Sequence, residues 1–132
     1  LAQSYLVKAR KRLRALQVLL EEEAHSDVVR EAQEVVELAL KGILRQVGVE
    51  PPKQHDVGPL LLAVADRLPP SVRDGLPDLA RGSAWLRRER EYSFYGDIDV
   101  IPTEAYGPDD ARRASSQARA AVELASAVIP PP

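Results

Sequence analysis

Residues 31–44 read EAQEVVELALKGIL, and this stretch decides the fold class. Its apolar side chains recur at steps of three and four residues, so they share one broad face of a helix. Ser26 or Asp27 is expected to cap the start of this helix. Gly48, with a proline pair soon after it, predicts the end. A helix with such a wide apolar face must pack against other helices.

The same periodicity predicts helices along most of the remaining chain. They are expected from Ser4 to about Ala24, from about Val57 to Arg67, from about Pro77 to Ser93, and from Pro108 to about Val128. No segment alternates with a period of two for long enough to indicate a strand. The predicted fold class is therefore all-α, an antiparallel four-helix up-and-down bundle with a short extra helix. We expect one domain over residues 1–129 and a disordered proline tail at residues 130–132.

The composition limits the possible functions. At 132 residues, with 45% hydrophobic and 29% charged residues, the chain has the make-up of a globular protein with one core. The formal net charge is −2, so affinity for nucleic acid must come from local patches. Without cysteine there is neither a disulfide framework nor a thiolate zinc site, and we expect no metal and no cofactor. No apolar run reaches the roughly 20 residues of a membrane span and no signal peptide is evident, so a cytoplasmic location is expected by default.

Residues 90–97, REYSFYGD, are the strongest indication of a binding site. They close a highly charged helix with three of the six aromatic residues of the chain. Aromatic faces beside guanidinium groups can hold a nucleobase and its phosphate. The alternative is that these rings are partly core residues at a helix end, where a tyrosine often buries its ring and hydrates its hydroxyl.

Three further groups of polar residues are candidates for function. The first predicted helix carries five cations, which suggest either phosphate contact or a solvated helix surface: Lys8, Arg10, Lys11, Arg12 and Arg14. Glu37 and Lys41 have the spacing of an ion pair within a helix. His55 is either a general acid or base, or a packed polar residue between loop and core.

These residues occur in an order that resembles the HEPN family, small helical domains named for nucleotide binding in higher eukaryotes and prokaryotes. The resemblance rests on residues 31–44, on Gly48 and Pro51, on residues 54–57 (QHDV) with the leucines after them, and on residues 93–97 (SFYGD) with Pro102, Tyr106 and Asp110. The last group is similar to a subgroup whose fourth helix ends in Tyr-Gly-Asp. The resemblance implies a helical bundle, usually a homodimer, that is partnered with a small nucleotidyltransferase, often in a toxin–antitoxin-type pair.

Many members of that family are metal-independent ribonucleases, and their signature is an Arg followed, four to six residues later, by a His. In this chain the fifth residue after Arg90 is Tyr95, and no histidine follows His55. A tyrosine with an ordinary pKa of about 10 is a poor general base at neutral pH. The phosphate-binding half of the signature is therefore present, whereas the proton-transfer half is replaced.

The sequence thus favours a nucleotide- or RNA-phosphate-binding HEPN module that partners a nucleotidyltransferase and makes no sequence-specific DNA contacts. The candidate ligand-binding residues are Arg87, Arg88, Arg90, Tyr92, Tyr95, Asp97 and His55. One alternative is a metal-independent endoribonuclease toxin with a degenerate motif, in which Tyr95 replaces the histidine. Another is a dimerisation scaffold without a ligand. No catalytic residue is assigned.

Overall fold

The computed structural model of the chain describes residues 1–51, 53, 57–95 and 106–131, and within residues 90–95 it describes the backbone only. Within these ranges there are six α-helices: α1 Ala2–Glu21, α2 His25–Gln46, α3 Val57–Ala63, α4 Pro70–Arg73, α5 Leu76–Tyr95 and α6 Pro108–Val128, with a 3-10 turn at Ala65–Arg67. All regular structure within these ranges is helical, which confirms the predicted all-α class. No helix in the described part is long and apolar enough to cross a membrane.

The first two long helices form an antiparallel pair. Arg12 of α1 contacts Glu31 of α2 at 3.1 Å. Tyr5, earlier on α1, lies beside Gly42, which comes later on α2. A loop of three residues, 22–24, joins the two helices. So short a connection allows only an antiparallel neighbour.

The last two long helices are antiparallel as well. The Gln117 side chain lies over Gly82, whereas Arg113, one turn earlier on α6, stacks on Trp85, later on α5. α6 also runs antiparallel to α1, because Arg10 Nη2 donates a hydrogen bond to Ser126 Oγ at 2.9 Å and Gln3 reaches Pro130. The four long helices therefore alternate in direction, as the sequence predicts.

The centre of the bundle is α2, which packs most extensively on α1 and α6 and also on α5. The side of α6 that faces the core consists mostly of alanines, all fully buried: Ala111, Ala114, Ala118, Ala121 and Ala125. Small side chains let helix backbones approach closely. Gly42 of α2 marks such an approach, since a Cβ atom there would lie 3.0 Å from Ile129 Cδ1 and 3.2 Å from Tyr5 Cβ.

The ends of α2 differ in how well the sequence predicts them. Gly48, with φ +84°, ends the helix as expected, and the Val49 amide donates to the Leu44 carbonyl at 2.9 Å. The expected cap at Ser26 or Asp27 is wrong. The helix begins at His25 after Ala24, and Ser26 is buried inside the first turn.

The connection between α3 and α5 also differs from the expectation of one helix to Arg67. α3 ends at Ala63, a 3-10 turn follows, and the short helix α4 lies where no helix is predicted. Arg73 explains the change, because its Nε donates to the carbonyls of Leu68 at 2.9 Å and Ala65 at 3.1 Å. Its Nη2 donates to the Asp66 carbonyl at 3.1 Å. One side chain thus satisfies carbonyls that would otherwise need a longer helix.

Candidate functional site

The candidate ligand-binding residues lie mainly on the last turns of α5. Arg87 is partly buried and Arg88 is exposed. Arg90, Tyr92 and Tyr95 belong to the same helix, but their side chains lie outside what the structure describes. Asp97 and His55 lie outside the described residues altogether. The structure therefore locates Arg87 and Arg88 and leaves the other five residues as predictions.

Where α5 packs on α2, Arg87 acts on a row of polar side chains of α2. The row consists of Gln33, Glu37 and Lys41. Glu37 is the centre of this row. Its Oε1 lies 2.9 Å from Lys41 Nζ, and its Oε2 accepts a hydrogen bond from Gln33 Nε2 at 2.8 Å. Gln33 is only 7% exposed, so its amide must satisfy its hydrogen bonds within the protein. The sequence predicts the Glu37–Lys41 pair, which the structure confirms, but not the part played by Gln33.

The electrostatics of this row fix the charge of Glu37. Partial burial by itself raises the pKa of the Glu37 carboxyl group. The hydrogen bonds from Lys41 and Gln33, and the positive charges of Lys41 and Arg87, act in the opposite direction and outweigh burial, so the pKa is lowered. Glu37 is therefore a stable carboxylate at neutral pH. It suits the positioning of cations and is unsuited to the role of general acid.

A second contact holds the start of α6 against the end of α5. The hydroxyl oxygen of Tyr106 lies 2.9 Å from both the Glu89 carbonyl oxygen and Glu89 Oε2, and the ring is buried. The hydroxyl has one hydrogen, so the two acceptors share it. At the neighbouring Gly107, the backbone amide donates to Asp110 Oδ2 at 3.0 Å, which fixes the first turn of α6. Tyr106, which the resemblance includes only as part of a motif, is therefore a structural anchor next to Arg88.

The same region contains the only tryptophan of the chain. Trp85 is 8% exposed, and the Arg113 guanidinium carbon lies 3.8 Å from the centre of its ring. This distance is that of a cation–π contact. It joins α5 to α6 one turn before Arg88. The sequence does not predict this contact, because nothing local relates residues 85 and 113.

The described part of the site thus has three cations, Arg87, Arg88 and Lys41, and two carboxylates, Glu37 on α2 and Glu89 on α5. Arg87 and Lys41 surround Glu37, while Arg88 is open to solvent. A guanidinium group offers a rigid fork of donors that matches a phosphate. The arrangement can therefore bind an anion at Arg88, supported by a neighbouring arginine whose charge is balanced by an internal carboxylate.

A family model of the HEPN domain matches residues 2–128. The chain belongs to the HEPN domain family. This match spans nearly the whole chain and confirms the family that residues 31–44 and the later motifs indicate. The subgroup defined by Tyr-Gly-Asp remains a prediction. No curated protein matches the chain.

Two solved structures have the same fold as this HEPN domain. TT1696 from Thermus thermophilus is 23% identical, with a TM-score of 0.74 over 97% of this chain and 98% of the other. ST0689, described as an archaeal HEPN homologue, is 20% identical, with a TM-score of 0.73 over 96% of this chain and 95% of the other. The likeness covers both chains almost completely and concerns the helical bundle.

Proposed function

We propose that this HEPN protein binds the phosphate of a nucleotide or of RNA with the arginines of α5. The observation that carries the proposal is that Arg88 is exposed, whereas the charge of its neighbour Arg87 acts on the ionised Glu37. Since Glu37 already attracts Arg87, Arg88 is the direct phosphate ligand among the described residues. Arg87 and Lys41 together carry two positive charges against the single negative charge of Glu37, which leaves net positive potential behind Arg88. In this proposal Arg90 is a second phosphate ligand.

The remaining candidate residues complete the proposed site around the phosphate. Tyr92 or Tyr95 contacts the base or sugar by stacking or hydrogen bonding, which every nucleobase permits because each has a π face. Asp97 orients an arginine or a ligand hydroxyl. His55 contacts the ligand if the loop before α3 reaches the same cleft. These roles are inferred from the sequence, because only Arg87 and Arg88 of the candidate residues have side chains that the structure describes.

The test is calorimetric titration of the full chain with ATP and with GMP. Arg88→Ala is expected to weaken binding by about tenfold or more, because a charge-assisted hydrogen bond contributes about 1.5–3 kcal/mol. Arg81→Ala is the matched control. Arg81 is an exposed arginine on α5, two helical turns before Arg88, and it pairs with Asp78. No heat with either nucleotide, or equal losses in both variants, would refute the proposed site.

The proposal includes a partner protein and a homodimer. Family membership supports both, since the resemblance implies that HEPN modules are usually homodimers associated with a small nucleotidyltransferase. The test is co-purification of the chain with a nucleotidyltransferase encoded next to it, together with light scattering of the chain alone. If the chain is a monomer by light scattering and does not co-purify with that enzyme, this part of the proposal is contradicted. The proposal of phosphate binding would be unaffected.

Ribonuclease activity is the competing function, and it is tested separately. Tyr95 occupies the position where the resemblance implies a catalytic histidine, so we expect no cleavage of a structured RNA without metal. Cleavage would overturn the non-catalytic interpretation. A Tyr95→Phe variant would then show whether the phenol takes part, because phenylalanine keeps the ring and removes the titratable hydroxyl.

A further inference from the structure

A second cationic surface lies on another side of the bundle, in the groove between α1 and α2. The groove encloses about 710 Å³, and its lining includes Lys8 and Lys11 of α1 and Arg45 of α2 but no Asp or Glu. The groove between α5 and α6, of about 640 Å³, is lined by Asp78 and Glu123 and by no Lys or Arg. In a chain with a net charge of −2, this contrast concentrates positive potential at the first groove.

The cations in the groove between α1 and α2 are not neutralised by strong ion pairs with neighbouring carboxylates. Lys8 and Lys11 are exposed and have no ion-pair partner among the described residues. Arg45 lies 3.1 Å from Glu50, but 80% of the Glu50 side chain is exposed, so this pair is weak and readily exchanged. By contrast, two other cations on α1 are engaged, Arg12 with Glu31 and Arg10 with Ser126.

The groove also provides surfaces for bases and sugars. Tyr5, Leu38 and the exposed Val7 line it together with Ser4. A groove with cations from two helices and a partly exposed aromatic ring has the composition of a site for single-stranded nucleic acid. Lys8 and Lys11 lie one turn apart on α1, and Arg45 lines the same groove from α2, nearer to the start of α1. Phosphates of one strand can therefore be contacted from both walls.

We propose that the groove between α1 and α2 binds the phosphodiester backbone of a single-stranded oligonucleotide. The site is separate from Arg88 and does not depend on the function proposed for α5. It assigns a role to Lys8 and Lys11 of α1. Its contacts are to phosphate, ribose and base faces, so it reads no sequence.

Fluorescence anisotropy with a short unstructured labelled RNA, and with DNA of the same sequence, tests this proposal. The double variant Lys8→Ala/Lys11→Ala is expected to lose affinity by about 25-fold at about 0.1 M salt. Its plot of log affinity against log salt concentration should become shallower by about 1.4, because each contact to a single strand releases about 0.7 counterion. Both residues are exposed, so the fold should be unaffected.

The matched control is Arg112→Ala/Arg119→Ala, which removes two exposed cations from α6 and changes the net charge equally. Equal losses in the two double variants, or no binding of RNA or DNA by the unmodified chain, would overturn the proposal. Equal binding of RNA and DNA supports contact to phosphate alone, whereas a preference for RNA supports an additional contact to the ribose hydroxyl.

The calorimetric test of Arg88 separates the two proposals. If Arg88→Ala abolishes the heat of ATP binding while Lys8→Ala/Lys11→Ala leaves RNA affinity unchanged, the groove proposal fails and the α5 site stands. If the groove variant loses RNA affinity and no nucleotide gives heat, the α5 site fails and the groove stands.

Discussion

The ammonium nitrogen of Lys41 lies 2.9 Å from a carboxylate oxygen of Glu37, one turn earlier on α2. Both side chains are mostly shielded from solvent, with 18% and 23% of their surfaces exposed. A pair in this setting is stronger than a surface pair, because water screens it less. With the positive charge of Arg87 acting on the same carboxylate, the pair links the central helix to the candidate site on α5.

Glu37→Gln is expected to destabilise the protein by about 1–2 kcal/mol at pH 7, because it removes hydrogen bonds to a charged group. The folded pKa of Glu37 lies below its ordinary value of 4.5. Its ionised form therefore contributes stability above pH 4.5, and this contribution is lost as the pH falls through the lowered folded pKa. Urea denaturation at pH 7 and in acid measures the effect.

The control for that experiment is Glu123→Gln, which changes an exposed carboxylate on α6 and should leave stability within about 0.5 kcal/mol of the unmodified chain. A loss from Glu37→Gln that stays constant from neutral pH into strong acid would show that packing, rather than charge, accounts for the contribution of Glu37.

Tyr106→Phe is expected to cost about 1–2 kcal/mol, since it removes the hydrogen bonds to Glu89 and leaves a buried ring otherwise unchanged. Thermal and urea denaturation provide the measurement. Tyr5→Phe is the comparison, because the Tyr5 hydroxyl has no hydrogen-bond partner among the described residues. Equal stabilities of the two variants would mean that the Tyr106 hydroxyl does not anchor α6 to α5.

The local signals in the sequence are sufficient to predict the fold class. Gly48 ends α2 and Pro108 starts α6 as expected, because a left-handed glycine and a proline at the first helical position act through their own backbone. The actual start of α2 could not be predicted, since the preceding turn places Glu23 in a left-handed conformation and makes Ala24, two residues before Ser26, the cap position. The short α4 could not be predicted either, because it depends on the backbone carbonyl groups to which the Arg73 side chain donates hydrogen bonds.

The candidate site is only partly predictable for the same reason. The Glu37–Lys41 pair follows from spacing within one helix. The effect of Arg87 on Glu37 requires the register of α5 against α2, which all of α3 and α4 separate in sequence. The stacking of Arg113 on Trp85 likewise depends on tertiary packing. Sequence patterns identify the residue types of such a site, whereas the packing of helices determines which charges are already balanced.

Glu23→Gly is expected to stabilise the protein by about 0.5–1 kcal/mol, because a left-handed conformation is costly for a residue with a Cβ atom. Glu23 has a φ of 57°, and it ends α1 in a turn where the Ala24 amide donates to the Leu19 carbonyl at 3.0 Å. The midpoint of urea denaturation should rise with an unchanged slope. At Glu22, where φ is −81°, glycine should bring no gain, and an increase there would point to charge removal instead.

Gly42 and Gly82 lie inside helices and provide a final prediction. Apart from steric effects, alanine at either position should stabilise the helix by about 1 kcal/mol, because its helix propensity is higher than that of glycine. At Gly42 the new Cβ atom would lie 3.2 Å from Tyr5 Cβ, an atom close to the backbone of α1. Gly42→Ala should therefore separate α1 from α2 and destabilise the protein by about 1 kcal/mol net, because overpacking costs about 1–3 kcal/mol.

At Gly82 the new Cβ atom would meet the end of the Gln117 side chain, which is only partly buried and can rotate toward solvent. Gly82→Ala should therefore leave stability unchanged or raise it by up to about 1 kcal/mol. Urea denaturation of both variants measures the difference. If Gly82→Ala were the more damaging change, the Gln117 side chain would have to be held rigidly over α5, and close packing in this bundle would extend to the interface of α5 and α6.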